Sequence, residues 1–318
     1  MSQELPGECQ RIVDLQCGVI AHWQAKSAGM GPRVAENLVR SGRWRRLRFG
    51  VYAASAGEPS YQALRWAALL RAGPEAILSH RTAAEVDGLA DGPARLFHLT
   101  VPLGQRLPPI AGVTIHRSGR IEGARTPIGV IPPRTLITET VLDLTQCADN
   151  FDEAFGWLAR ACQRDLTTPG MVRLRMDLRK KLRWRRELAE ALGDVQAGVH
   201  SVLELRYRRE VEQAHGLPHS RRQAKVVRGQ RRQYRDVLYE EFGLCVELDG
   251  QAAHPPGTRW RDIDRDNRNA ADGIQTLRFG WKDVVHACAT AWMIGTVLRR
   301  RGWTGEIRRC GPRCSPAS

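Results

Sequence analysis

The sequence predicts a multidomain α/β protein. Three observations carry this expectation. The chain has 318 residues, enough for two or three domains. Apolar residues recur at helical spacing in some stretches and alternate as in strands in others. Residues 199–300 read in the order helix, three strands, helix, strand, helix. Hydrophobic residues make up 42% of the chain and charged residues 26%, a globular balance rather than a disordered one. The formal net charge of +15 comes mostly from arginine, which pairs bidentately with phosphate and stacks on bases. The alternative is a basic solvated surface, and the clustering of the arginines favours nucleic acid.

The expected segments are 8–56, 57–165, 166–198 and 199–314. In the first, Arg11 to Val19 carries apolar residues at helical spacing, and Ala21 to Ala28 makes a second short helix. Gly29-Met30-Gly31 turns the chain, and Pro32 stands where a third helix begins, with Val34, Leu38 and Val39 on one face. Ser41-Gly42 stops that helix, and Trp44 to Tyr52 reads as a hairpin bent at Gly50. This is the order of a winged helix-turn-helix. Arg33, Arg40, Arg43, Arg45, Arg46 and Arg48 cluster on the third helix and wing, and are the expected contacts to double-stranded DNA.

The middle α/β segment has helices at Tyr61 to Leu70 and from Leu78, with Ser79 as N-cap, and strands at Phe97 to Val101 and Val113 to His116. Pro132-Pro133-Arg134 leads into a helix through Val141 and Leu144. His80, His98 and His116 fall on different elements and read as structural. Residues 173–186 form a basic amphipathic linker, with Leu174, Leu178 and Leu182 as its apolar stripe.

The last segment carries the chemistry. Val199, Leu203, Tyr207 and Val211 mark a helix that ends at Gly216-Leu217-Pro218. Asp236 and Glu247 lie on consecutive strands joined by a turn. Two carboxylates aimed at one point repel unless a cation lies between them, and Mg²⁺ (or Mn²⁺) suits oxygen donors at roughly 2.0–2.1 Å. Asp236 and Glu247 are the expected metal ligands. Glu204, on the preceding helix, and Asp249, two residues beyond Glu247, are expected to assist. His254 follows a bend at Gly250 and can move protons near neutral pH. Arg261, Arg265 and Arg268 share one face of the next helix, and Arg265 and Arg268 are expected to hold the scissile phosphate.

At these residues the chain resembles a known family. Ser201-x-x-Glu204, Gly216-Leu217-Pro218, Asp236, Val246-Glu247-Leu248-Asp249-Gly250, His254, Asp264-Arg265-x-x-Arg268, Gly273, Leu277-Arg278-Phe279 and Gly302-Trp303 are similar to the endonuclease-like domain related to very-short-patch-repair endonucleases, within the PD-(D/E)xK superfamily. The resemblance implies a restriction-endonuclease-like αβββαβ core and phosphodiester hydrolysis. The superfamily's lysine two positions after the acid is Asp249 here, as in the closer family, so water activation would fall to the metal or to His254. Residues 11–150 more distantly resemble AbiE-type antitoxins, through the 21–52 pattern and Ser79-His80-Arg81-Thr82-Ala83-Ala84. That resemblance implies a DNA-binding regulator without catalysis.

Met1-Ser2-Gln3-Glu4-Leu5-Pro6 shows no secretory signal and no apolar run is long enough for a bilayer, so a cytoplasmic protein with no membrane partner is expected. The eight cysteines are mostly scattered and read as free thiols. Cys310-x-x-x-Cys314 has no second ligand pair nearby and reads as a terminal tail rather than a zinc motif. A neighbouring gene for a nucleotidyltransferase-like toxin would favour the regulator, and one for a methyltransferase the nuclease.

Overall fold

The computed structural model describes residues 5–31, 33–196, 199, 201–228, 231–249, 266–280, 283–284, 286–312 and 314; the side chains of 225–228, 231–234 and 249 lie outside that description. Within it the chain is mixed α/β and divides into two compact units, 1–148 with 174–182, and 149–173 with 183–318. Of the segments expected from the sequence, 8–56 falls in the first unit, 199–314 falls in the second, and the basic linker is shared between them.

The first unit opens with α1 (Gly7–Leu15), β1 (Val19–Ala21), α2 (His22–Ser27), α3 (Val34–Arg40), β2 (Arg45–Arg48) and β3 (Val51–Ala53). The three strands form a sheet in the order β1-β3-β2. Gly50, at φ +70°, makes the tight turn between β2 and β3, a backbone state that favours glycine. Because strand side chains alternate, β1 serves two cores. Ile20 packs with Leu38, Trp44 and Tyr52, whereas Val19 and Ala21 join Val51 against Trp66 and Leu69. The latter lie on α4 (Tyr61–Ala72), whose N-cap Ser60 accepts from the Ala63 N–H.

A second sheet, ordered β4-β5-β6, follows from β4 (Ile77–Leu78), β5 (Phe97–Pro102) and β6 (Val113–Ser118). β5 and β6 are parallel, with Thr100 opposite His116. Between β4 and β5 in sequence comes α5 (His80–Val86), and after β6 come α6 (Ile121–Ala124) and α7 (Ile137–Cys147). Ser79 precedes α5 as expected, but its hydroxyl lies 3.0 Å from Nδ1 of His80 and caps nothing.

The second unit contains α8 (Phe151–Gln163), α10 (Arg185–Gln196), α11 (Val202–Arg206), a π-helical turn at Tyr207–Gln213, β7 (Arg221–Arg228), β8 (Arg231–Tyr239), β9 (Leu244–Asp249), β10 (Gln275–Gly280) and α12 (Ala287–Arg300); α9 (Pro169–Asp177) carries the chain between the units. The expected order of helix, three strands, strand and helix is observed, with residues 266–271 helical ahead of β10. The sheet runs β10-β9-β8-β7, with β9 and β10 parallel and the other pairs antiparallel. One face buries Val237, Tyr239, Val246 and Leu248 against Leu203, Tyr207, Ile294 and Leu298. Each such side chain contributes about 1.5–3 kcal/mol.

Two of the three leucines expected as the apolar stripe of the basic linker are turned outward, and Leu182 is half-buried. Leu174 and Leu178 are 57% and 61% exposed, whereas Met176 and Arg179 are buried. Arg179 donates to Glu139 Oε2 at 2.5 Å and to Asp143 Oδ1 at 2.8 Å, so a charge network occupies the place given to apolar packing. Removing one partner strands the other buried charges. Arg179→Ala should therefore cost about 3–5 kcal/mol in urea unfolding followed by tryptophan fluorescence, while Leu178→Ala should stay within about 0.5 kcal/mol. Equal costs for the two would reject this assignment of the buried face.

Candidate functional site

The sheet of the second unit assembles the acidic residues. β7 and β8 pair Arg222 with Val237 and Ala224 with Arg235, so Gln223 stands opposite Asp236. β8 and β9 pair Val237 with Val246, and the same register carried one residue further sets Asp236 opposite Glu247. β9 and β10 pair Glu247 with Arg278. Gln223, Asp236, Glu247 and Arg278 thus fall at matching register positions on the four strands; Glu247 and Arg278 are a ladder pair, whereas the β7–β8 ladder is interrupted at Gln223 and the β8–β9 ladder ends at Val237 and Val246. By strand alternation Asp236 and Glu247 face away from the core that holds Val237, Val246 and Leu248.

Each acid in the row has hydrogen bonds. The Leu248 N–H donates to Asp236 Oδ2 at 2.9 Å, where the β8–β9 ladder has ended. Gln223 Nε2 donates to Asp236 Oδ1 at 3.4 Å and to Glu204 Oε2 at 3.5 Å, so one amide joins the helix acid to the strand acid. Gln223 has φ +43°, the left-handed region, at the position where the β7–β8 pairing skips a residue. Ser201 Oγ donates to Glu204 Oε1 at 3.0 Å while accepting from the Glu204 N–H. Glu247, 2% exposed, accepts from the Cys245 thiol at 3.3 Å, and burial together with Glu247 pushes that thiol well above its ordinary range. Next to the row, buried Arg235 donates twice to Asn269 Oδ1, at 3.1 and 2.8 Å, and Arg278 is paired with Asp266.

Of the expected site residues, Glu204, Asp236 and Glu247 are thus placed on or beside one row. Asp249 continues β9, but its side chain is outside the description, and His254 and Arg265 lie outside the described residues altogether. Arg268 is half-buried on helix 266–271. Among the described residues, two groups of potential metal ligands have donor atoms all within 4.8 Å of one another: His80, His98 and His116, and His215, Cys288, Cys310 and Cys314. The acidic row is not one of these.

The basic cluster of the first unit divides. Arg33, Arg40, Arg43 and Arg46 are exposed. Arg45 is ion-paired to Glu58 at 2.8 Å, and Arg48 donates to the Ala111 carbonyl at 3.0 Å, with burial and neighbouring Arg71 lowering its pKa. Sequence clustering could not reveal these commitments, because the partners come from outside the cluster.

The three histidines read from the sequence as separate come together. Parallel pairing of β5 and β6 brings His98 Nδ1 to 3.1 Å from His116 Nε2, and the His80 ring stacks on His116 at 3.6 Å between centroids. His80 sits at φ +49°. His80 and His116 border a cavity of about 280 Å³ that Arg120, Glu139 and Arg179 also line. Burial, reinforced by the neighbouring histidines, lowers His80 to about 2 and His116 to about 4, and burial lowers His98 as well. The stack is therefore neutral at pH 7.

No family model matches the chain, and no curated protein matches it. The structure is similar to the crystal structure of the RV2827C protein from Mycobacterium tuberculosis, with 19% sequence identity and a TM-score of 0.37, covering 60% of this chain and 78% of that one. A likeness that distant carries no argument about function.

The histidine stack has a thermodynamic consequence. Between about pH 4 and the ordinary histidine value of 6.5, the unfolded chain binds protons that the folded stack refuses. Its stability is complete above pH 6.5 and is lost as pH falls toward the folded value. Acidification from pH 7.5 to 5 should remove on the order of 2 kcal/mol for each ring held below pH 5, His80 and His116 among them. Denaturant titrations at both pH values test this: His116→Gln should shrink the difference by about 2 kcal/mol, and an unchanged acid loss in that variant would exclude His116 as a source.

Proposed function

We propose that the protein binds double-stranded DNA and hydrolyses its phosphodiester bonds as a Mg²⁺- or Mn²⁺-dependent endonuclease. The observation that carries this reading is the cross-strand row, in which Asp236 and Glu247 share one sheet face and Gln223 ties Asp236 to Glu204. Its carboxylates offer oxygen ligands, which suit a hard cation. Asp236 and Glu247 would hold the ion, with Glu204 and Asp249 beside it. When bound, such an ion makes its water acidic and offsets charge on the leaving oxygen. Arg265 and Arg268 would meet the phosphate, and His254 would move the proton.

The order of elements supports the rest. Helix, strand, two helices and a hairpin, with the sheet ordered β1-β3-β2, fit a winged helix with exposed arginines on its third helix and wing. The αβββαβ order of the second unit fits a restriction-endonuclease-like core. Among the described residues, no helix is long and apolar enough to cross a membrane.

A second reading is an antitoxin-like DNA-binding regulator whose nuclease-like fold does not turn over. What favours it is that the Leu248 N–H occupies Asp236 Oδ2 and the Cys245 thiol occupies Glu247 Oε1, hydrogen bonds that a purely structural sheet also uses. A toxin or a methyltransferase encoded beside this chain would separate the two readings.

DNA binding by the full chain should weaken steeply with salt, since each neutralised phosphate contributes a slope of about −0.9 in log K against log salt. Fluorescence anisotropy across a salt series should show that slope shrinking in Arg33→Ala with Arg46→Ala. Arg45→Ala should shrink it less, because Glu58 already neutralises that side chain. Salt-independent binding would contradict the proposed surface.

Supercoiled plasmid should be nicked in Mg²⁺ or Mn²⁺ and left intact in EDTA. Glu247→Gln should abolish nicking while DNA affinity persists, and His254→Ala should slow it by roughly 10²–10⁴-fold if His254 is the base. The substrates must include several sequences and mismatched duplexes. Nicking that survives Glu247→Gln would exclude the acidic row, and binding without nicking on every substrate would favour the regulator.

A further inference from the structure

We infer that the second unit holds a structural zinc ion, bound by His215, Cys288, Cys310 and Cys314. This site is separate from the acidic row and does not depend on the proposed nuclease function.

The four ligands come from three places in the chain. His215 follows the π-helical turn, Cys288 lies in the first turn of α12, and Cys310 and Cys314 belong to the tail beyond it. Their donor atoms all lie within 4.8 Å of one another. Zn–S bonds of about 2.3 Å and Zn–N bonds of about 2.0–2.1 Å, arranged tetrahedrally, require sulfur–sulfur edges of about 3.8 Å and sulfur–nitrogen edges of about 3.5 Å. Cys288 Sγ and Cys310 Sγ are 3.5 Å apart, and Cys314 Sγ is 3.6 Å from His215 Nε2. The sulfur pair is far beyond the roughly 2.05 Å of a disulfide. All eight cysteines are free.

The surroundings prepare these groups for a metal. His215 is fully buried, and its Nδ1 lies 3.1 Å from the Val211 carbonyl. Donation of the Nδ1 proton to that carbonyl leaves the Nε2 lone pair aimed at Cys314, the outer-shell arrangement of a metal-bound histidine. The Arg308 N–H donates to the His215 carbonyl at 2.8 Å, and Ile307 packs so closely on Gly295 that a Cβ there would meet it at 2.4 Å. The Cys314 N–H closes a turn onto Gly311 at 3.0 Å, which brings Cys310 and Cys314 to one side. The tail is therefore docked where the ligands converge.

Three thiolates and one imidazole fill a tetrahedron and leave no position for water or substrate. The site is consequently structural, not catalytic. It would pin the tail where the end of the π-helical turn meets the start of α12, linking positions far apart in sequence.

The full chain purified under reducing conditions tests this. It should carry about one equivalent of zinc by elemental analysis, and the metal-free chain should take up Co²⁺ with thiolate charge-transfer absorption and tetrahedral d–d bands. Cys310→Ser with Cys314→Ser should reduce bound zinc at least about tenfold, whereas Cys17→Ser should leave it unchanged. Chelation should lower the melting temperature of the unmodified chain and leave that of the double variant alone. Should the double variant fail to fold, the cobalt spectrum of the unmodified chain decides by itself. Absence of stoichiometric metal with no thiolate–cobalt band, metal retained in the double variant, or a Cys288–Cys310 disulfide by intact mass would each overturn the assignment.

Discussion

Taking a carboxylate out of water costs several kcal/mol unless hydrogen bonds and opposite charge replace the lost hydration. Both units are built around that constraint. In the first, Glu139 is buried against Arg179, which also reaches Asp143. In the second, Glu212 accepts from Ser220, Arg222 and Tyr239, and Asp194 is gripped by Arg208 and Arg209. These networks fix where helices meet their neighbours. The acidic row obeys the same rule with different means, since an amide, a backbone N–H and a thiol donate to Glu204, Asp236 and Glu247.

Much of this architecture was legible in the sequence because it follows from local periodicity. The second and third short helices and the hairpin, the strands beginning at Phe97 and Val113, and the strands that carry Asp236 and Glu247 follow from spacing and turn residues, whereas the first helix, expected from Arg11 to Val19, ends at Leu15 and Val19–Ala21 is a strand. The acidic row was legible for the same reason: two adjacent strands joined by a short turn have one natural register, and alternation decides the face.

What was missed depends on contacts between distant residues. His80, His98 and His116 meet only because a crossover lays β5 beside β6 in parallel, a register no local pattern announces. His215 and Cys288 complete the tail cysteines from far upstream, so the sequence displayed half a zinc site and the fold supplies the other half. The linker leucines misled for another reason. Hydropathy predicts the buried face only when apolar residues have somewhere to pack, and here Glu139 and Asp143 drew Arg179 inward. Arg45 and Arg48 likewise joined the basic cluster by spacing but found partners at Glu58 and Ala111.

The two metal proposals in the second unit are kept apart by ligand chemistry. Carboxylates are hard donors, and a site made of them selects Mg²⁺ or Mn²⁺ through abundance and geometry; thiolates are soft and hold zinc far more strongly. A zinc ion given the choice therefore goes to the tail cluster. The proposed sulfur site would fasten the tail, and the strand carboxylates would suit a weaker, exchangeable ion. Such an ion suits phosphate chemistry, because it keeps waters in its shell and releases product oxygens readily.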